Sequence, residues 1–277
     1  MKVFASSDIH FDHNPANQKV WELLHKKCLT QKPEVLIICG DLAESLSAFD
    51  QSLSLFKDLN CHKLFVPGNH DLWNRVDTKS NATQKLEVDL PKICNNNNWH
   101  YLPSNPLQIE NWTFVGSPFW YDYSLMPKDH PFSVEDFQKK SYQGRTWQDS
   151  NFVRFTQFKD DFEVCKHFYN QLKSDLKLAK TKQIFCASHF PCHHEIFNFT
   201  GKNWPLEYFG AYMGSNRYQE LLEQYKVSIL LSGHVHRKFD ETINDMRVIL
   251  NPLGYLGEWK SNDPHSEIDF AIKQLII

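Results

Sequence analysis

Short runs of consecutive apolar residues, each ended by a polar cluster, alternate through the first half of the chain with segments whose apolar positions recur every three or four residues. Val3 to Ser6, Val35 to Cys39 and Leu64 to Val66 are the runs. They lack polar alternation, as strands buried on both faces do. Between them, Gln18 to Cys28 places Val20, Leu23, Leu24 and Cys28 on one helical face, and Ser47 to Leu59 does so with Phe49, Leu53, Phe56 and Leu59. This rhythm predicts βαβ units with parallel strands. The middle differs. Trp99 to Leu102 and Trp112 to Val115 read as short strands, and Pro118 to Trp147 is aromatic without a period. The spacing of Phe152, Phe155, Phe158, Phe162, Cys165, Tyr169, Leu172 and Leu176 predicts one long amphipathic helix over 151–180, its aromatic stripe serving as core. Strands return at Gln183 to Ala187, Val227 to Leu231, Arg247 to Leu250 and Ile268 to Leu275, with a helix at Arg217 to Tyr225. No linker divides the chain, so 1–277 reads as a single domain with an insertion at about 118–182.

The polar clusters that end the runs carry one type of chemistry. They are Asp8-Ile9-His10, Gly40-Asp41, Gly68-Asn69-His70-Asp71, Ser188-His189 and Gly233-His234-Val235-His236. Ligands of open α/β sheets gather beyond the carboxyl ends of parallel strands, where all five clusters fall. Residues i and i+2 of a strand share a side, so Asp8 with His10, and His234 with His236, present two groups to one point if strand geometry continues into the loop. Carboxylate, imidazole and amide without thiolate suit Mn, Fe, Zn or Ni. The clusters hold more such groups than one six-coordinate ion can take, and suit two ions sharing a carboxylate.

Composition narrows the partners. A formal net charge of -3, with 41% hydrophobic and 23% charged residues, gives no electrostatic case for bulk nucleic-acid or membrane binding. The seven cysteines include no CxxC pair. With no signal-peptide pattern and no apolar stretch near 18 residues, a reducing, cytoplasmic location is the expectation. Oligomeric state is left open.

The order D-x-H, G-D, G-N-H-D, H, G-H-x-H, running from residue 8 to residue 236, resembles the calcineurin-like metallophosphoesterase superfamily. The resemblance implies an α/β (in some schemes α+β) fold: a two-layer β-sandwich of mixed sheets flanked by helices, with a dinuclear metal site at the strand ends. It implies that Asp8, His10 and His236 hold one divalent transition-metal ion and Asn69, His189 and His234 the other, with Asp41 bridging. A metal-bridging hydroxide would attack phosphorus in line. His70 would serve the leaving group without binding metal, and Asp71 would orient His70. The substrate would be a small phosphorylated molecule, either monoester or diester. A nuclease on the same scaffold, or a non-enzymatic metal-binding module, are the alternatives.

Departures from other branches narrow this further. Ser/Thr protein phosphatases carry an acidic-Arg-Gly extension after G-D and a Glu at the position of Asp71; this chain has neither. Purple acid phosphatases need Tyr where Glu44 stands. The remaining group is the small phosphoesterases, including cyclic-nucleotide phosphodiesterases. Beside the motifs, His13, Arg75 and His193 are candidate substrate contacts, Arg75 by pairing with phosphate. Trp120, Tyr121 and Tyr123 are candidates for base stacking, with packing the favoured role.

Overall fold

A computed structural model describes residues 1–197, 199–201, 203 and 207–277. Two mixed sheets form its centre. One is ordered β13-β1-β2-β3-β4 and comprises Lys273–Ile276, Lys2–Ser6, Val35–Cys39, His62–Val66 and His100–Tyr101. The other is ordered β11-β12-β10-β9-β6-β5 and comprises Phe239–Ile243, Met246–Leu250, Ile229–Ser232, Gln183–Ser188, Trp112–Ser117 and Leu107–Ile109. Within each sheet the inner strands run parallel, and antiparallel strands sit at edges: β13 in the first sheet, β11 and β5 in the second.

The pleat explains why the strands read as continuous apolar runs. Val3, Ala5, Val35, Ile37 and Cys39 point between the sheets, where they meet Phe114, Phe185, Leu231 and Ile249. Their neighbours Phe4, Leu36 and Ile38 point outward to the helices. Both faces are therefore apolar, and alternation disappears. The two sheets are thus flanked by helices, as the family resemblance implied.

Several elements differ from the sequence expectation. The helix predicted over 151–180 is two helices, Asp149–Phe152 and Asp161–Leu178. The carbonyls of Phe152 and Arg154 accept from the N–H groups of Asn74 and Ala82 in a neighbouring loop, so they are not available to a helix. Asp160 then caps the second helix by accepting from Glu163 N. That second helix packs on β6 and carries the crossover from β6 to β9. The predicted strand Ile268 to Leu275 begins as a helix, Pro264–Ala271, because Asp263 caps it and Pro264 starts it; only Lys273–Ile276 is strand. Phe239–Ile243 is a strand the periodicity missed. It turns into β12 through Asn244 and Asp245, both left-handed at φ 47° and 67°, the conformation of a type I′ hairpin. Among the described residues no helix is long and apolar enough to cross a membrane.

Candidate active site

The parallel strands β1, β2, β3, β9 and β10 all end at one edge, and each is followed by one of the polar clusters. The two sheets meet there. A bridge pairs Ser7 with Pro252, and Gly254 N donates to Asp8 O at 3.0 Å.

Strand geometry does not continue into these loops. Asp8, His10, Asp41, His234 and His236 have φ of 53°, 47°, 51°, 70° and 36°. Residues i and i+2 converge because the chain turns left-handed after each strand, a conformation that costs of order 1–3 kcal/mol per residue unless its surroundings hold it. Those surroundings are visible. Gly40 and Gly68 approach so closely that a Cβ on Gly40 would overlap His189 and one on Gly68 would overlap Asp41. The carboxylate of Asp71 accepts from four backbone N–H groups: Gly68 and Asp41 on Oδ2 at 2.7 and 2.8 Å, Leu42 and Ala43 on Oδ1 at 3.0 and 3.1 Å. Both oxygens of Asp71, expected to orient His70, thus face backbone N–H groups of the Asp41 and Gly68 loops.

The candidate ligands are brought together. His10 Nε2 and His236 Nε2 are 3.1 Å apart, and Asp8 Oδ1 is 3.4 Å from His236 Nε2. On the other side, His189 Nε2 lies 3.0 Å from Asn69 Oδ1 and 3.4 Å from Asp41 Oδ1. Potential ligand atoms of Asp8, His10 and His236, and of Asp41, His189 and His234, lie within 4.8 Å of one another in each group; a third such group is His10, Asp41 and His70. Partners behind these residues fix their rings. Cys39 O faces His189 Nδ1 at 3.0 Å, Glu258 faces His236 Nδ1 at 2.7 Å, and Ser7 Oγ donates to Asp8 at 2.5 Å. Such partners set the tautomer of a metal-binding imidazole.

The donor set fits cations. Asp8 and Asp41 are buried carboxylates, and His234 Nε2 is buried with no hydrogen-bond partner among the described residues. Burial, the largest influence, pushes the His234 imidazole down to about 3. Burial also opposes protonation of His189 and His236, yet the nearby carboxylates raise them to about 9 and 10. Burial raises Asp41, but His189, His70 and His10 hold it well below the usual range.

His70 stands over Asp41, Nε2 to Oδ2 at 3.9 Å, with its ring stacked on Trp73 at 3.7 Å. Its Nδ1 faces Glu44 Oε1 at 3.5 Å, so Glu44 is the carboxylate beside it. The backbone around this pair is anchored by Lys85, fully buried in a π-helical turn (Lys85–Asp89), which donates to the carbonyls of Glu44 at 2.8 Å and Trp73 at 2.6 Å.

The three candidate substrate contacts fare differently. Arg75 is paired with Glu44, Nε to Oε2 at 2.9 Å, so its charge is already matched. His193 is fully buried beside Cys192 and does not line the cleft, because its ring turns into the core after the β9 loop. His13 is exposed at the rim, its ring 4.6 Å from Tyr255. Trp120, Tyr121 and Tyr123 are buried and pack against Phe190, Phe155 and Phe162. The cleft holds about 460 Å³, and its walls come from Trp73, Trp147, Met213 and Tyr255 around Asp41, Asn69 and the imidazoles. Trp147, Glu44, Glu258 and Tyr255 carried no motif signal; a carboxylate three residues after Asp41 was the nearest thing to one.

Two mixed sheets bring buried carboxylates, an amide and five imidazoles together at one edge, a donor set that fits divalent cations. The family model described as calcineurin-like phosphoesterase matches residues 1–238. The chain therefore belongs to the calcineurin-like phosphoesterase family and is a hydrolase acting on phosphoester bonds. Membership implies a dinuclear divalent metal site, for which the residues above are candidates. The chain is 22% identical over 275 residues to a protein of Mycobacterium tuberculosis named [acyl-carrier-protein] phosphodiesterase PptH, covering 95% of this chain and 81% of that one. The crystal structure of phosphopantetheinyl hydrolase PptH from the same organism superposes with a TM-score of 0.81 at 21% identity, covering 99% and 95% of the two chains. A dimetal phosphatase from Danio rerio is similar at a TM-score of 0.57 and 14% identity, covering 99% and 91%.

Proposed function

We propose that this protein is a dinuclear metal-dependent phosphodiesterase. Asp8, His10 and His236 would hold one divalent ion, Asn69, His189 and His234 the other, and Asp41 both. When bound, such ions polarise the phosphoryl group and supply a nucleophile that is deprotonated near neutral pH. The chain's own residues do the rest. His70 presents Nε2 to the cleft with Glu44 Oε1 3.5 Å behind its Nδ1, so Nε2 would give a proton to the departing oxygen. Trp73 holds the ring flat.

The observation that carries a diester over a monoester is the cleft's charge. Among the described residues no Lys or Arg lines it, while Asp149 and Glu258 do. A monoester near neutral pH brings close to two negative charges and a diester brings one. A wall without Lys or Arg disfavours the first. The name of PptH adds a specific candidate, the phosphodiester that joins a phosphopantetheine arm to a carrier protein. Trp147, Met213 and Tyr255 offer apolar surface to such an arm.

The test compares bis(p-nitrophenyl) phosphate, p-nitrophenyl phosphate and a phosphopantetheine-bearing carrier protein on the Mn-, Zn-, Ni- or Fe-loaded protein. Diester turnover exceeding monoester turnover at least tenfold is the expected result. A monoester preference overturns the diester reading. Faster cleavage of single-stranded oligonucleotides than of the small diester points to a nuclease.

A further inference from the structure

Asn69 is an unusual candidate ligand because an amide has two ends: one oxygen that accepts and one NH2 that donates. Only the oxygen can face a cation. Something must therefore fix which end points where.

The group that does so comes from 80 positions away. Asp149 is 1% exposed and follows the short β7–β8 hairpin, Ser141–Tyr142 and Arg145–Thr146. Its Oδ1 accepts from Asn69 Nδ2 at 2.8 Å and from Trp73 Nε1 at 2.7 Å. Its Oδ2 accepts from Trp147 Nε1 at 2.9 Å and Tyr121 OH at 3.2 Å. With the NH2 held there, Asn69 Oδ1 is left facing His189 Nε2 at 3.0 Å. Two of the remaining donors also back the site, since the Trp73 ring stacks on His70 and the Trp147 ring meets His234 edge-on at 5.7 Å.

We propose that Asp149 is a positioning residue that locks the Asn69 amide with its oxygen toward His189 and thereby sets the affinity for the ion held by Asn69, His189 and His234. The inference rests on the reading of Asn69 as a ligand. It assigns a functional task to the 118–182 segment. A partner behind a metal ligand typically contributes 10–100-fold to affinity.

A matched control exists in the same segment. Asp161 is also a buried carboxylate, accepting from Trp120 Nε1 at 3.0 Å, Tyr123 OH at 2.6 Å and Lys140 Nζ at 2.8 Å, and none of these donors is a candidate ligand. The experiment titrates Mn²⁺ into the metal-stripped full chain by calorimetry, with thermal melts alongside. Two ions bind the wild type. Asp149→Asn keeps one ion at wild-type affinity and weakens the other by about 10–100-fold. Asp161→Asn lowers the melting temperature and leaves both affinities alone. Wild-type binding of both ions by Asp149→Asn, or equal weakening of both, overturns the proposal. Asn69→Ala separates the two readings. If it keeps both ions, the ligand assignment fails; if it loses one while Asp149→Asn keeps both, only the role of Asp149 fails. Should Asp149→Asn not fold, Tyr121→Phe removes one donor from Oδ2 and is expected to weaken the same ion about threefold, the effect of one ordinary hydrogen bond. No change in that variant also overturns the proposal.

Discussion

Replacing Asp71 by Asn separates two accounts of a buried acid near the site. In the structure its carboxylate accepts four backbone N–H bonds from the loops that carry Asp41 and Asn69. An amide of the same shape keeps an oxygen toward one pair and turns an NH2 toward the other. Two charge-assisted bonds are lost, each contributing about 1.5–3 kcal/mol, and two donors are left facing a donor. Removing a negative charge beside Asp41 offsets part of this, since burial first and Asp41 second push Asp71 up to about 7. The net loss is then about 3 kcal/mol, a fall in melting temperature of about 6 °C or more for a chain of this size. Because Asp41 is displaced with its loop, bound metal falls as well. The assay is thermal unfolding with elemental analysis of the same sample. An unchanged melting temperature and metal content, with turnover alone reduced, would return Asp71 to the role of orienting His70.

Three further outcomes follow from the geometry. Glu44→Gln removes the charge 3.5 Å from His70 Nδ1 and is expected to lower kcat for an aryl diester about tenfold, less than the roughly 10²–10⁴-fold of losing a general acid outright because Glu44 acts through His70, with metal content unchanged in elemental analysis. Gly68→Ala puts a Cβ into the Asp41 carboxylate and 2.7 Å from Asp41 N; metal content and activity should fall together. Away from the site, the Arg247 hydrogen bond holds Asp240 down at about 2. A depressed carboxylate stabilises the fold above the ordinary carboxylate range and ceases to do so as pH falls through its folded value. The urea-unfolding difference between wild type and Asp240→Asn, at most about 1 kcal/mol for so exposed a pair, should therefore be present at pH 6 and shrink between pH 4 and pH 2.

Much of this was legible in the chain. Strands buried on both faces write themselves as uninterrupted apolar runs, and five polar tips after such runs mark one edge. The left-handed turns at Asp8, His10, Asp41, His234 and His236 were not legible, because Asp and His carry no obligatory signal for that conformation as glycine does. The break at residues 153–160 was hidden for a related reason. Apolar spacing continues through it, while the backbone bonds sideways to residues 74 and 82. Asp149, Glu44 and Glu258 act singly, each as one carboxylate reaching a residue made near only by folding. Asp71 lay inside a motif, yet its partners are backbone N–H groups, which no side-chain pattern displays.

The proposed metal ligands are set apart from His70, which is proposed to bind no metal. Elemental analysis of purified His70→Ala and Asp41→Ala, beside wild type, tests that division. About two ions per chain are expected for wild type and His70→Ala, with slow turnover in the latter, and loss of both metal and activity in Asp41→Ala. Equal metal loss in the two variants would contradict it.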